Sequence, residues 1–252
     1  MHNIALLCRD FLSSPREAAE RCRRPESFRA SLMIYAAFVV CYALFFWLKP
    51  WDFPEVNAPW PQQELGLLFW LKVLLWQPAL EGAWIALLLG LISWFGAGSM
   101  AFRLLTAVAW AAGPIMLMAY HHSGALSRPA FAAGSVLAFG AFIPLWRKVE
   151  TRDWISVTAF MLGLNVIGLA GLIPMALAIW LRHELLFKIA QFVSAFWMLG
   201  AGAAGLKALS GLRLPRVFMA IMLSVVFQVT LAFSLYLVGL VPKDVLKALL
   251  YP

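Results

Sequence analysis

A chain of 252 residues in which 63% are hydrophobic and only 13% charged is far from a water-soluble domain, where about half the residues are apolar and about a quarter charged. Its apolar runs extend along the whole length, which excludes a globular core with one anchor and predicts an all-α, polytopic transmembrane helix bundle. The formal net charge of +8 is read as basic residues flanking spans on the cytoplasmic side rather than as a nucleic-acid surface, because no basic stripe is free of membrane segments.

Residues 1–29 form a cytoplasmic entry region, and 30–252 read as a single membrane domain. Ile4, Leu7, Phe11 and Leu12 recur at helical spacing on one apolar face, so a short helix lying on the membrane surface is expected there. Ser14-Pro15-Arg16-Glu17 has the pattern of a helix start, with Ser14 as cap and Glu17 closing a capping box, and that helix should stop at Pro25. The first long apolar run opens only near Ala30, behind a charged segment, which is not the layout of a cleavable signal peptide. Cys8, Cys22 and Cys41 form no Cys-x-x-Cys pair and no histidine cluster accompanies them, so all three are expected as free thiols.

The first span runs over 30–48. A loop over 50–64 comes next, with Pro50, Pro54, Pro59 and Pro61, the acids Asp52, Glu55 and Glu64, and Trp51 and Trp60 at the interface. Leu65 to Trp76 is shorter than the roughly 20 residues a span needs and is expected as a re-entrant or interfacial helix, kinked into the next span at Pro78. Further spans fall near 79–97, 104–120, 129–146, 154–181, 185–206 and 217–241, about seven in all. Pro144 interrupts the fourth. Gly163, Gly168, Gly171 and Pro174 inside the fifth predict a bend or partial unwinding there. The small residues Gly200, Ala204 and Gly205 in the sixth, with Gly202, predict close helix packing. With the N-terminus inside, thirteen Lys and Arg fall on inner segments and seven on outer ones, which predicts a cytoplasmic N-terminus and an outside C-terminus.

Chemistry is sparse. His183-Glu184-Leu185-Leu186-Phe187 begins like the zinc-protease His-Glu-x-x-His, but Phe187 replaces the second ligand, so His183 and Glu184 read as a headgroup-level pair, as do His121 and His122. Ser99 among glycines has no paired base. No catalytic residue, metal or cofactor is expected. Glu81, Asn165, Gln191 and Gln228 are a candidate polar cluster at span depth; such groups usually join helices, although an intramembrane acid such as Glu81 raises a functional question by default. Glu81 is expected near the outer end of the second span.

Three segments together resemble the bacterial branch of the Yip family of multi-span membrane proteins. These are Ser14-Pro15-Arg16-Glu17-Ala18 before the first span, Ala107-Val108-Ala109-Trp110-Ala111-Ala112-Gly113-Pro114 with its mid-membrane proline, and Trp197 through Gly205-Leu206-Lys207-Ala208-Leu209-Ser210-Gly211-Leu212 before a basic residue and a new span. The resemblance covers about residues 11–121 and 186–240. It implies five spans with N-inside and C-outside; 122–185 would add two, an even number, which preserves the orientation of the later spans. Eukaryotic members are linked to vesicle traffic and Rab-type GTPases, whereas the bacterial branch is largely without assigned activity. The expectation is a non-enzymatic scaffold, assembly or membrane-organising factor of a bacterial cytoplasmic membrane, whose partners are the lipid bilayer and a membrane or cytosolic protein. The alternative is a small transporter or permease for an ion, lipid or metabolite. A transporter needs polar groups converging at mid-membrane on broken helices, and Asn165 with Gly168 and Pro174 is the constellation that could provide them.

Overall fold

The computed structural model describes residues 2–50, 53, 67–243 and 245–246. Among these the regular elements are helices: α1 (His2–Ser13), α2 (Pro15–Cys22), α3 (Pro25–Leu48), α4 (Leu67–Phe95), α5 (Met100–His122), α6 (Arg128–Gly140), α7 (Ile143–Trp146), α8 (Thr151–Trp180), α9 (Glu184–Ser210) and α10 (Leu214–Val238). Seven helical stretches, α6 and α7 counting as one, are long and apolar enough to cross a membrane. The expected interfacial loop with Trp51, Trp60, Asp52, Glu55 and Glu64 lies outside the described residues, as does most of the tail after Lys243.

Several boundaries differ from the sequence reading, each for a physical reason. The stretch expected as a separate re-entrant helix is the first part of α4, which passes through Pro78 unbroken. One missing N–H does not end a helix in lipid when the alternative is to free many more backbone groups. Pro25 does not simply end α2: it opens α3, with Arg24 at the cap position, because a proline is well suited to a first helical turn. Ser14 does occupy the cap position of α2, but its side chain makes no capping bond, so the expected capping box is absent. The fourth span breaks between Gly140 and Ile143, earlier than Pro144 itself. The proline ring excludes the carbonyl four residues back, and that carbonyl belongs to Gly140.

The chain forms two compact units, each assembled from two separate stretches: residues 1–70 with 151–211, and 71–150 with 212–252. In the first unit α8 is the common partner of α1, α2, α3 and α9. The glycines of α8 are notches rather than a hinge, and the helix is continuous from Thr151 to Trp180. A Cβ on Gly163 would strike the Phe11 ring, one on Gly168 would lie 2.7 Å from the Phe38 ring, and one on Gly171 would strike Ser194. In the reverse direction Phe160 of α8 enters the notch at Gly205 of α9. At the opposite end Phe53 meets Phe187 edge-on at 5.8 Å, among Phe45, Ala178 and Ile179.

In the second unit α10 packs on α5 and α6 around an aromatic core. Phe142, fully buried, stands 4.1 Å from Trp110 and 5.0 Å from Phe227 between ring centroids. A Cβ on Gly90 would sit 2.6 Å from the Phe142 ring, so α4 approaches this core through a glycine. The break between α6 and α7 turns the Phe142 N–H to the Phe139 carbonyl, leaving the Ala138 carbonyl without its α-helical donor. The Trp110 indole donates to that carbonyl at 2.9 Å. A freed backbone group at membrane depth is thus satisfied by a neighbouring helix, as an apolar solvent requires.

Candidate functional site

The arginines expected merely to flank the spans perform a specific task. The carbonyls of a helix's last turn have no intrahelical donors and carry the negative end of its dipole. At the end of α4, Arg216 donates to the Phe95 carbonyl at 2.8 Å and to the Gly98 carbonyl at 2.9 Å. Arg103 donates to the Trp94 carbonyl and lies over the Trp94 ring, 4.5 Å from its centroid, while the Trp94 indole donates to the Arg103 carbonyl at 3.0 Å. In the first unit Arg23 donates to the Ala208 and Leu209 carbonyls at the end of α9. Arg128 likewise donates to the Val238 carbonyl of α10. Four guanidinium groups therefore cap three helix ends. Sequence reading counted these residues as charge and missed the capping, because the carbonyls they meet are distant in the chain.

The apolar stripe of α1, expected to face the membrane surface, packs against protein instead. Leu7 and Phe11 are buried in protein, with Ile4 and Leu12 half-buried. The Phe11 ring packs 5.4 Å from that of Phe160 over the Gly163 notch. Asp10, buried at the same junction, pairs with Arg21 at 2.5 Å, fastening α1 to α2. Cys22, the last residue of α2, is fully buried, and burial pushes its thiol up to about 12. Burial also raises the Cys8 thiol and lowers Lys49, which lies over the Phe187 ring. The three cysteines are free.

The small residues of α9 divide between two faces. Gly205 and Gly202 are buried against Phe160 and Leu164. Gly200 is exposed, with open space where a Cβ would be, so the expected contact at that position is not made; Ala204 is half-buried.

The candidate polar cluster falls in two places. Asn165, buried in the first unit, donates to the Met161 and Leu162 carbonyls of its own helix at 3.3 and 3.1 Å. It is the commonplace use of a polar side chain in a buried helix, and the broken-helix constellation expected around Gly168 and Pro174 does not form. Gln191 is half-buried on α9 in the same unit. Glu81 and Gln228 are half-buried in the second unit. Glu81 is not near a span end: it lies midway between Leu67 and Phe95, the ends of α4.

The histidines have structural partners. His183 caps α9, its Nδ1 accepting from the Leu186 N–H at 3.1 Å, and Glu184 pairs with Lys188. His121 bonds the Leu126 carbonyl through Nδ1 at 2.9 Å and stacks on Phe131. Comparison of the chain with family models, with curated proteins and with solved structures returned no match.

Proposed function

We propose that this integral membrane protein is a non-enzymatic scaffold or assembly factor of Yip type, seated in a bacterial cytoplasmic membrane with its N-terminus in the cytosol and its C-terminus outside. The observation that carries the reading is the use made of α8. Asn165, Gly163, Gly168 and Gly171, the residues a carrier would employ around a discontinuous helix, are all committed to packing within a continuous one. Turning the stripe of α1 inward has a second effect. It leaves Arg9, Arg16, Arg24 and Arg29 exposed, a polar face available to a membrane or cytosolic protein partner.

Photoreactive residues placed singly at Arg16 and Arg24 should trap a discrete protein adduct in native membranes, whereas one at the exposed Phe196 should trap lipid. A reporter fused after Pro252 should be active only in its exported form; activity confined to the cytosol overturns the orientation. One observation favours the second reading, a small transporter for an ion, lipid or metabolite: the mid-helix position of Glu81. Solute uptake by the purified chain in proteoliposomes, with no trapped protein adduct, would replace the scaffold reading by that one.

A further inference from the structure

An acid in the middle of a membrane helix is costly in its charged form and commonly marks a proton or ion path. Two contacts determine what faces Glu81. The Trp84 indole donates to Ser224 Oγ at 2.9 Å, and Arg216 donates to the Phe95 carbonyl, so α4 and α10 run antiparallel in a defined register. One turn from Trp84, away from the Arg216 end, lies Glu81; one turn from Ser224 in the same direction lies Gln228. Steps of three and four residues put Glu81 on the same side of α4 as Trp84 and Gln228 on the same side of α10 as Ser224. At 1.5 Å per residue, Glu81 is about 21 Å along α4 from Phe95, and Gln228 about 18 Å along α10 from Arg216. The two therefore share a level. Gln77 lies one further turn along α4. Between them Pro78 has no N–H to offer the Leu74 carbonyl, so an additional acceptor lies beside the site.

The electrostatic surroundings determine what this pair can hold. Between Arg216 and Val238, α10 carries no Asp, Glu, Lys, Arg or His. Neither does α5 between Arg103 and His121, nor α6 and α7 beyond Arg128. On α4 the other charged residue is Lys72, nine positions, or about 14 Å, toward the far end. Among the described residues no ion pair or hydrogen bond engages Glu81. Among the described residues of these helices no cation therefore stands at the level of its carboxylate, and a proton is the simplest neutralising partner. A glutamine amide suits both states, since its carbonyl accepts from a carboxylic acid and its NH₂ donates to a carboxylate. We propose that Glu81 and Gln228 form a proton-binding site inside the second unit. The site rests on neither functional reading: it would make a scaffold pH-responsive or give a carrier its coupling group.

The test uses the full chain in lipid nanodiscs and an apolar carbodiimide, dicyclohexylcarbodiimide, which adds across a protonated carboxyl in an apolar setting to give an N-acylurea with no leaving group. Mass spectrometry should find the adduct on the peptide containing Glu81, declining as pH rises, and absent from the neutral isostere Glu81→Gln. A water-soluble carbodiimide should leave Glu81 unmodified. Gln228→Leu should displace the pH of half-labelling by about one unit, a tenfold change in proton affinity; Gln228→Asn, shortened by one methylene, serves if the leucine variant does not fold. Absence of the apolar adduct at every pH, or equal modification by the water-soluble reagent, overturns the site. An undisplaced midpoint in a well-folded Gln228 variant overturns the pairing.

Discussion

Replacing Gly205 tests whether α8 and α9 are held by an aromatic side chain set into a glycine notch. A Cβ at this position would meet three carbons of the Phe160 ring, all inside 3.0 Å, closer than real Cβ atoms approach. Phe160 is fully buried and Phe11 packs on its ring, so it has little room to withdraw. Overpacking costs about 1–3 kcal/mol, and a ring this close and this confined takes the upper part of that range, about 2–3 kcal/mol. Alanine recovers about 1 kcal/mol through its better helix propensity, leaving Gly205→Ala destabilised by about 1–2 kcal/mol. At about 2–4 °C per kcal/mol for a chain of this size, thermal unfolding in detergent should fall by about 2–8 °C. Phe160→Leu removes the ring that is struck, so the double variant should lose less than the two single changes combined, a coupling that a double-mutant cycle isolates. An unchanged or higher melting temperature for Gly205→Ala, with no coupling to Phe160, would refute the notch.

Three further outcomes are expected from the same geometry. Arg216→Ala should lower stability by about 1–3 kcal/mol, since it removes two charge-assisted bonds from the end of α4, and Arg216→Lys should restore only part because an ammonium cannot reproduce the planar fork; thermal unfolding reads both. Phe11→Ala should cost about 3–5 kcal/mol as a buried aromatic truncation, whereas Arg9→Gln and Arg16→Gln should cost under about 0.5 kcal/mol; the reverse order would return α1 to the membrane surface. Cys22, its thiol raised by burial to about 12, should react with soluble alkylating agents at pH 8 about a thousandfold more slowly than an ordinary thiol, because the thiolate is the nucleophile. Between the ordinary thiol value near 9 and 12 the folded chain keeps a proton that the unfolded chain releases, so stability should fall as pH rises through that window, and Cys22→Ala should flatten that slope.

The spans were legible because length and hydropathy are properties of each segment alone. Two errors show where that independence ends. Reading Pro78 as a boundary moves Glu81 from the centre of a helix to its end and makes an intramembrane acid look wet. The sequence contained the correction: Leu65 to Trp76 cannot span alone, and joining it to the next run gives one helix long enough to cross. Grouping Gly200, Ala204 and Gly205 on one side of α9 is the second. At about 100° per residue, Gly200 is about 140° from Gly205, whereas Gly202 is about 60° from it, so no single face holds Gly200 with the buried glycines.

The N-terminal stripe marks a deeper limit. Periodicity establishes that Ile4, Leu7, Phe11 and Leu12 share an apolar face, but lipid and protein satisfy an apolar face equally well in hydropathy terms. Packing separates them, since helices in a bilayer associate by close fit rather than by hydrophobicity. The deciding residue is Gly163, far along the chain, where the absence of a side chain admits the Phe11 ring. The same reasoning applies to the arginine caps, whose acceptors are backbone carbonyls identical in every residue and therefore silent in the sequence. Glu81 and Gln228 differ in kind. Their side chains are visible in the sequence, and what was missing was one register, which the Trp84–Ser224 bond supplies. A polar pair within a membrane can therefore be sought from the sequence once one inter-helix contact is known, whereas a notch or a cap requires the surrounding backbone.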